Sequence, residues 1–593
     1  DFSLFVMSVG MFMGYVVYTY PDYTAQLTKI RAQQESLLAV VYITIYMRVN
    51  PILENAIYFA TQHLAGPLGK DLKYCLWLVE TEHAPSIEDA FNRIIPLWVK
   101  RNNDFVQALL TIHSVKLQAR KEDQERIMDK ALNTILDKTY TKMKHFSHDL
   151  TTPVLLLHTF GMMLPLIGLI AFPMMSVFMA DSVRMSYLFF GYIIVLPALL
   201  LFFTRRIISK RPGAFTVPDI SNNPFLPPKG KYLLTFRNRN YLIPVLPVAI
   251  CSGVIVMLPG IIRMLAVTIP LLYSSALNNT IPAVEYELSA MFITVTIPVG
   301  LAVGLGIYFY GMSAQRLKVR NSIIEIDSDL GDSLFKLSNQ FSENIPIEVA
   351  IENFIKEYEM LKLKKRSIFR FFSDVYNRMQ DEGVSFEDAS FDKKRGLLLI
   401  YPSTLLKEIV WIISEGAKKG AVTLHRVTTQ ISVYLENTKK IRELIYDLLT
   451  ETASSINIQA KFFSPFLAGL VGSLTLIIVK TLHQMSQKLQ DIMKLVSSGG
   501  AVQDNFFFDF INFAKITPPT VFQVLVGIYM VETVVLLSIL SNGVQNGFDN
   551  VSRDITISKN LLYSTIVYIL VTIIGAMMLN LLVETGAASV DIT

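Results

Sequence analysis

Long apolar runs are the feature that most constrains the fold of this chain. A bilayer has a hydrocarbon core of about 30 Å, which an α-helix of about 20 apolar residues crosses. Only 17% of the 593 residues are charged, whereas a soluble domain carries about 25%. The sequence therefore predicts a polytopic membrane protein with about eight transmembrane helices. The predicted spans are residues 2–19, 154–179, 186–204, 241–262, 287–311, 463–481, 520–541 and 561–583.

Two charged segments, residues 20–150 and 312–461, are too long to be simple loops. Glu122–His148 and Thr423–Glu451 have few helix breakers, and the second shows apolar residues at helical spacing. Strand signals are sparse, so the predicted fold class is all-α. Lys and Arg concentrate in the loop 205–239 and directly after the fifth span, which predicts that both polar segments are cytosolic.

The expected domain organisation follows from these segments. A first transmembrane helix precedes a cytosolic helical domain, membrane helices two to five precede a second such domain, and three further membrane helices precede a short tail. The boundaries are 1–19, 20–150, 151–311 with its loop 205–239, 312–461 and 462–593.

The two polar segments resemble copies of one unit. Pro51 is followed 35 residues later by Ser86-Ile87-Glu88-Asp89-Ala90, and Pro346 is followed 39 residues later by Ser385-Phe386-Glu387-Asp388-Ala389. Ser86 and Ser385 are candidate helix N-caps, each with an acid three residues on. Each copy then passes through a long charged helix into an apolar span. We interpret the pattern as an internal duplication, to which chance matching of short motifs is the alternative.

Residue patterns for catalysis are missing from the sequence. The segment Gly416–Gly420 lacks the spacing of a phosphate-binding loop, G-x-x-x-x-G-K-[ST]. His145 and His148 are too few ligands for a metal site. Asp329 and Asp332 lie in a polar segment, whereas a membrane aspartyl protease needs intramembrane aspartates. The net charge of +5 is mild and does not indicate nucleic-acid binding. The sequence therefore predicts a scaffold without cofactor or metal, not an enzyme.

Glu532 is an acidic residue near the middle of the predicted span 520–541. Such a side chain costs at least about 2.5 kcal/mol on insertion scales. It could serve a proton-coupled step or contact a substrate helix, or it could be a neutral carboxyl that hydrogen-bonds across helices, for instance to Asn580. A secondary transporter that uses Glu532 is the alternative function, because repeats and intramembrane acids occur there too. Gly300 and Gly304 predict close helix packing.

These motifs together resemble the type II secretion F-domain family, which includes the membrane platforms of type IV pilus, Tad, type II secretion and archaellum machines. The S-x-E-D-A segments at Ser86 and Ser385 look like the recurring helix start of the F domain. The segment Ile412–Gly420 is similar to the one before its last helix. The membrane helices begin with prolines in a similar way; these are Pro153, Pro165 and Pro465. The doubled unit with extra spans is most similar to archaeal members.

The resemblance implies a multi-pass platform in the cell membrane that couples a cytosolic hexameric secretion ATPase to the assembly of pilin- or archaellin-like subunits. It implies a homodimer or higher homo-oligomer in the lipid bilayer, and leaves pilus, archaellum and secretion system open. The ATPase would dock on charged faces, although most charge clusters are simply solvated. The docking candidates are Glu82, Glu88, Asp89, Lys362, Lys364, Lys365, Arg366, Glu387, Asp388, Lys418 and Lys419.

Overall fold

The structure is a computed structural model and is helical in nearly all of its described length. It describes residues 2–64, 66–178, 185–213, 220, 226–237, 239–276, 288–342, 345–364, 366–392, 395–401, 403–497 and 519–590. Contacts divide the chain into two compact units. The first comprises Asp1–His148, Ser209–Phe225 and Arg316–Leu449, and the second comprises Asp149–Ile208, Leu226–Gln315 and Thr450–Thr593.

The helices of the polar segments follow one another with short connections. In the first segment they are α1 (Phe2–Val49), α2 (Leu53–His63), α3 (Pro67–Glu80), α4 (Ile87–His113) and α5 (Lys121–His158). In the second they are α11 (Thr296–Phe341), α12 (Ile347–Met360), α13 (Ser367–Glu382), α14 (Phe386–Phe391), α15 (Thr404–Lys418) and α16 (Ala421–Ile458). Helices α5, α11 and α16 extend past the residues at which the chain passes from one unit to the other.

The remaining helices belong to the second unit and are rich in apolar residues. They are α6 (Leu164–Phe178), α7 (Met185–Phe190), α8 (Leu196–Ile208), α9 (Val245–Ala276), α10 (Leu288–Thr294), α17 (Ser464–Ser497), α18 (Pro519–Asn546) and α19 (Asn550–Val590). A helix satisfies its own backbone hydrogen bonds, so such segments can cross a bilayer.

Seven helical segments in the described part of the chain are long and apolar enough to span a membrane. They coincide with the second to eighth predicted spans, so the chain is a helical multi-pass membrane protein. The predicted span 2–19 lies within α1, but most of its side chains fall outside the described residues, so it stays a prediction. The apolar stretch after Arg263 continues α9 without a break as far as Ala276.

A β-hairpin precedes α9, and the sequence analysis did not predict it. Strands β1 (Lys231–Phe236) and β2 (Arg239–Pro244) pair antiparallel, with Lys231 opposite Pro244. The predicted span 241–262 therefore began four residues early, since α9 starts at Val245. Arg237 in the two-residue turn has a φ of 48°, the left-handed conformation that tight hairpin turns require.

The two polar segments share one hydrophobic core in the first unit. Trp411 of α15 stacks against Tyr46 and Phe59 of the first segment, with ring centroids 5.9 and 5.1 Å away. Nearby, Nε2 of His63 lies 2.9 Å from Oε1 of Glu408, a side chain only 2% exposed. The predicted division into two separate domains stays a prediction, because the observed core takes residues from both.

Two π-helical turns mark corresponding positions in the two halves. The 38-residue helix α5 passes through the turn Thr159–Met163 into α6, and the 38-residue helix α16 passes through the turn Gln459–Phe463 into α17. Every bound in the second set lies 300 residues beyond its counterpart in the first. Pro165 and Pro465 are each the second residue of the helix that follows. This match supports the duplication, which itself stays a prediction.

The glycines predicted to bring helices together do so. A Cβ added to Gly253 of α9 would lie 3.1 Å from the carbonyl oxygen of Gly300 and 3.2 Å from the Cα of Gly304. The backbones of α9 and α11 therefore approach closely at this crossing, as expected for small residues in membrane helices.

Candidate functional site

The first S-x-E-D-A segment starts helix α4 with a side-chain cap. The hydroxyl of Ser86 accepts a hydrogen bond from the backbone N–H of Asp89, 3.2 Å away, and donates to the Asp89 carboxylate at 2.8 Å. Oε1 of Glu88 lies 3.0 Å from both Nε2 of His113 and Nζ of Lys116. These two partners, His113 first, lower the pKa of the Glu88 carboxyl. The segment thus links the start of α4 to the end of that helix.

The second S-x-E-D-A segment has the same local chemistry. Ser385 caps α14 by accepting from the N–H of Asp388 at 3.1 Å and donating to its carboxylate at 2.8 Å. Oε2 of Glu387 lies 3.0 Å from Nζ of Lys418, and Ser414 donates to it at 3.1 Å. Lys418 is the larger cause of a lowered pKa at Glu387. Both predicted N-caps are therefore confirmed.

The alanine that ends each motif explains the remaining position. Ala90 and Ala389 are fully buried, so a larger side chain would not fit there. The four positions of the motif thus have internal tasks, namely cap, ion pair, cap partner and core contact. Glu88, Asp89, Glu387, Asp388 and Lys418 were predicted as docking residues, and each has a partner within the first unit.

The basic cluster that begins at Lys362 is also partly paired. Arg366 donates to both carboxylate oxygens of Asp329 at 2.9 Å, and Nζ of Lys364 lies 2.9 Å from Oε1 of Glu359. Lys362 is exposed and has a φ of 57°. Lys365 lies outside the described residues.

Two further docking candidates lie at exposed helix ends. Glu82 follows α3 with a φ of 59°, and Lys419 is the residue directly after α15. The exposed candidates Glu82, Lys362 and Lys364 are therefore the side chains most accessible to a partner.

Pro165 explains an unusual hydrogen bond at the start of α6. Proline has no N–H, so the carbonyl of Gly161, four residues earlier, loses its helical donor. The hydroxyl of Tyr529 on α18 donates to that carbonyl, and the hydroxyl of Tyr192 donates to the carbonyl of Pro165 at 3.0 Å. The proline thus creates an acceptor through which α18 is fixed to the helix that follows the first π turn.

Pro465 and Pro153 occupy related positions with different surroundings. Pro465 is buried at the start of α17, where the hydroxyls of Ser464 and Thr533 lie 3.0 Å apart. Pro153 lies inside α5 and is partly buried.

A row of polar contacts joins the last turns of α16 to α18 and α19, and we call it the polar row. Thr450 accepts from the side-chain amide of Gln545 at 3.0 Å, and the carbonyl of Ala453 accepts from Ser541 at 3.1 Å. Asn457 accepts from Asn560 at 3.0 Å. Residues 450, 453 and 457 lie on one face of a helix. Sequence reasoning missed this row, although the many Ser, Asn and Gln residues of α18 were a signal.

Glu532 lies on the same helix, between the proline contact and the polar row in sequence. Its Oε2 atom is buried and has no hydrogen-bond partner among the described residues. Asn580, the partner suggested from sequence, instead accepts a hydrogen bond from Nζ of Lys480.

Comparison with known proteins gives no relative from which a function could be transferred: no family model, no curated protein and no solved structure matches this chain.

Proposed function

We propose that the chain is the membrane platform of a type IV filament machine, in which a cytosolic hexameric secretion ATPase drives assembly of pilin- or archaellin-like subunits. The observation that carries the proposal is the repeated path of the chain. In each half a helical polar segment leads, through a 38-residue helix and a π turn, into an apolar helix that begins with proline at its second residue.

The contacts at these helix starts suit a part that transmits force. A helix transmits displacement along its axis only if its far end is held by directional contacts. In the first half the bond between Tyr529 and Gly161 is such a contact. In the second half the polar row provides three more. In this proposal, movement imposed on the polar segments by the ATPase reaches the membrane helices through α5 and α16.

The polar segments contain the surface on which the ATPase would act. Because most acidic candidates are engaged internally, the proposed dock centres on the exposed Glu82, Lys362 and Lys364. Charges at a docking surface steer encounter and fix register more than they add affinity. The proposed platform resides in the cell membrane and has no catalytic role of its own.

The test is binding of a secretion ATPase from the same cell to the full-length chain in detergent. We expect binding that the charge reversal Glu82→Lys weakens about tenfold or more. Asp137→Lys is the matched control, because Asp137 is also an exposed acid on a helix of the same unit. Absence of binding to the wild type would contradict the proposed function, whereas equal binding by both variants would move the dock away from Glu82.

Glu532 favours a second candidate function, a secondary transporter. A buried carboxylate oxygen without a partner in a membrane helix is costly, and transporters retain such groups for ion or proton coupling. Solute uptake by reconstituted vesicles that Glu532→Gln abolishes, and Glu82→Lys leaves unchanged, would favour the transporter. Equal ATPase binding by wild type and Glu532→Gln would separate the two functions.

A further inference from the structure

An apolar groove of about 720 Å³ opens on the side of the second unit. Its walls are the start of α9, the segment of α11 from Val299 to Gly311, and the segment of α19 from Ser558 to Ile569. Leu562 and Ile566 in the third wall are 61% and 50% exposed. The groove is thus a trough between helices that are apolar enough to span a membrane.

Small residues keep the trough open. Gly306 lines it, and a Cβ built on Gly306 meets no atom within 4 Å. Ala302, one turn earlier, also lines it. Side chains of ordinary size at these positions of α11 would fill the space that the two residues leave.

The length of the trough corresponds to one leaflet of a bilayer. Both long walls extend over eleven residues, which is about 17 Å of α-helix. Half of a hydrocarbon core of about 30 Å is about 15 Å. A transmembrane helix would need a groove about twice as long, whereas an acyl chain reaches from the headgroup only to the middle of the bilayer.

The cross-section agrees with this size. Spread over about 17 Å, the volume gives an average area of roughly 40 Å². A helix with its side chains has a diameter of about 10 Å or more, and so needs roughly twice that area. The trough therefore has room for acyl chains but not for a helix.

One mouth of the trough carries lysines. Tyr232 and Ile243 of the hairpin line this mouth, and the N–H of Val245 donates to the carbonyl of Gly230 at 3.0 Å. Lys229 and Lys231 flank that glycine. Both are exposed and form no ion pair with another described residue.

The hairpin is held at this mouth by α11. The side chain of Gln315 accepts from the N–H of Leu233 at 3.1 Å and donates to its carbonyl at 2.6 Å. The acid nearest in sequence to this end of the third wall, Asp554, is buried and paired with Arg553 at 2.8 Å. Its charge is thus compensated, and the two lysines are left to attract an anion.

We propose that this trough is a binding site for one anionic phospholipid. Its acyl chains lie along α11 and α19, and its phosphate lies against Lys229 and Lys231. Basic residues at the end of an apolar cleft between membrane helices are the arrangement that recognises anionic headgroups. The site is independent of the proposed platform function and requires only that the second unit lies in a bilayer.

The experiment reconstitutes the full-length protein in nanodiscs of phosphatidylcholine and phosphatidylglycerol at a 3:1 ratio. Native mass spectrometry after transfer to mild detergent then counts the retained lipids. We expect one phosphatidylglycerol on the wild type, and at least about tenfold lower retention in Gly306→Phe, which fills the trough. Gly14→Phe is the matched control, because a Cβ at Gly14 in α1 also meets no atom within 4 Å.

A second variant separates headgroup from acyl-chain recognition. The double variant Lys229→Gln/Lys231→Gln should retain a lipid but lose most of the preference for phosphatidylglycerol over phosphatidylcholine, about fivefold or more. Equal retention by wild type and Gly306→Phe would overturn the site, and a wild type without headgroup preference would overturn its anionic character. A photoreactive residue at Leu562 that captured polypeptide instead of lipid would assign the trough to a protein helix.

Discussion

At the scale of the residue, Ser86 and Ser385 show how a short motif is explained by its own contacts. Each hydroxyl satisfies a backbone N–H at a helix start. Replacing such a cap by alanine costs about 1 kcal/mol. We expect Ser86→Ala to increase hydrogen exchange in the first turn of α4 by about fivefold, measured by mass spectrometry. Ser86→Thr keeps the acceptor and serves as the control; equal exchange in Ser86→Ala and wild type would contradict the capping role.

Glu408 leads to a prediction about pH. Burial raises the pKa of its carboxyl above the ordinary value of 4.5, and the His63 imidazole offsets this only in part. The folded protein therefore keeps a proton that the unfolded chain has already lost. The stability that this proton confers is complete below about pH 4.5 and is lost as the pH rises through the pKa of the folded state. Glu408→Gln cannot titrate, so its melting temperature in detergent should fall less over that window.

Glu387 provides a control of opposite sign. Its pKa is lowered, chiefly by Lys418, so its contribution is present above the ordinary value and is lost as the pH falls through the pKa of the folded state. Glu387→Gln should therefore change the pH profile on the acidic side only. If Glu408→Gln and the wild type gave superimposable profiles, burial of a protonated Glu408 would be excluded.

At the scale of the element, the start of α6 permits a double-mutant cycle. Tyr529→Phe removes the donor to the Gly161 carbonyl and should destabilise the protein by about 1–3 kcal/mol, the cost of a buried unsatisfied acceptor. Pro165→Ala restores a backbone N–H that can reach the same carbonyl. In that background Tyr529→Phe should cost about 1 kcal/mol less. Unfolding in mixed micelles of increasing SDS content measures the four free energies, and strict additivity would show that the proline does not create the acceptor.

The elements also differ in how far the sequence predicts them. The apolar spans, the long charged helices and both N-caps depend on patterns within a few residues, and the structure confirms them. The hairpin Lys231–Pro244 was missed because its strands are short and its turn has Arg237, not glycine, at the residue with positive φ. The π turns were missed because they result from how a helix fits its neighbours, which composition does not record.

At the scale of the whole molecule, the two polar segments share a core that no local pattern predicts. The contact between His63 and Glu408 joins residues 345 positions apart. An acid inside the apolar run Leu405–Ile413 was a signal of a buried partner, but sequence alone does not identify which partner. Docking residues were predicted poorly for the same reason, since Glu88 and Glu387 looked exposed until their partners His113 and Lys418 were known.

The shared core predicts that damage in one segment spreads to the other. Trp411→Ala should cost about 3 kcal/mol, the lower end for a tryptophan truncation, because Trp411 is only partly buried. Hydrogen exchange should then accelerate in α15 and also in α2, which carries Phe59. Trp77→Ala is the control, since Trp77 is 48% exposed. Faster exchange confined to α15 would show that the segments open separately.

The equal spacing of the two π turns has a practical consequence. Each position near one turn has a counterpart 300 residues away that sits in a similar helix but has different neighbours. A substitution made at Pro165 can therefore be repeated at Pro465 within the same polypeptide, at the same expression level and in the same lipid. The molecule thus carries its own comparison between a backbone effect, which both sites would show, and an effect of surroundings, which only one would.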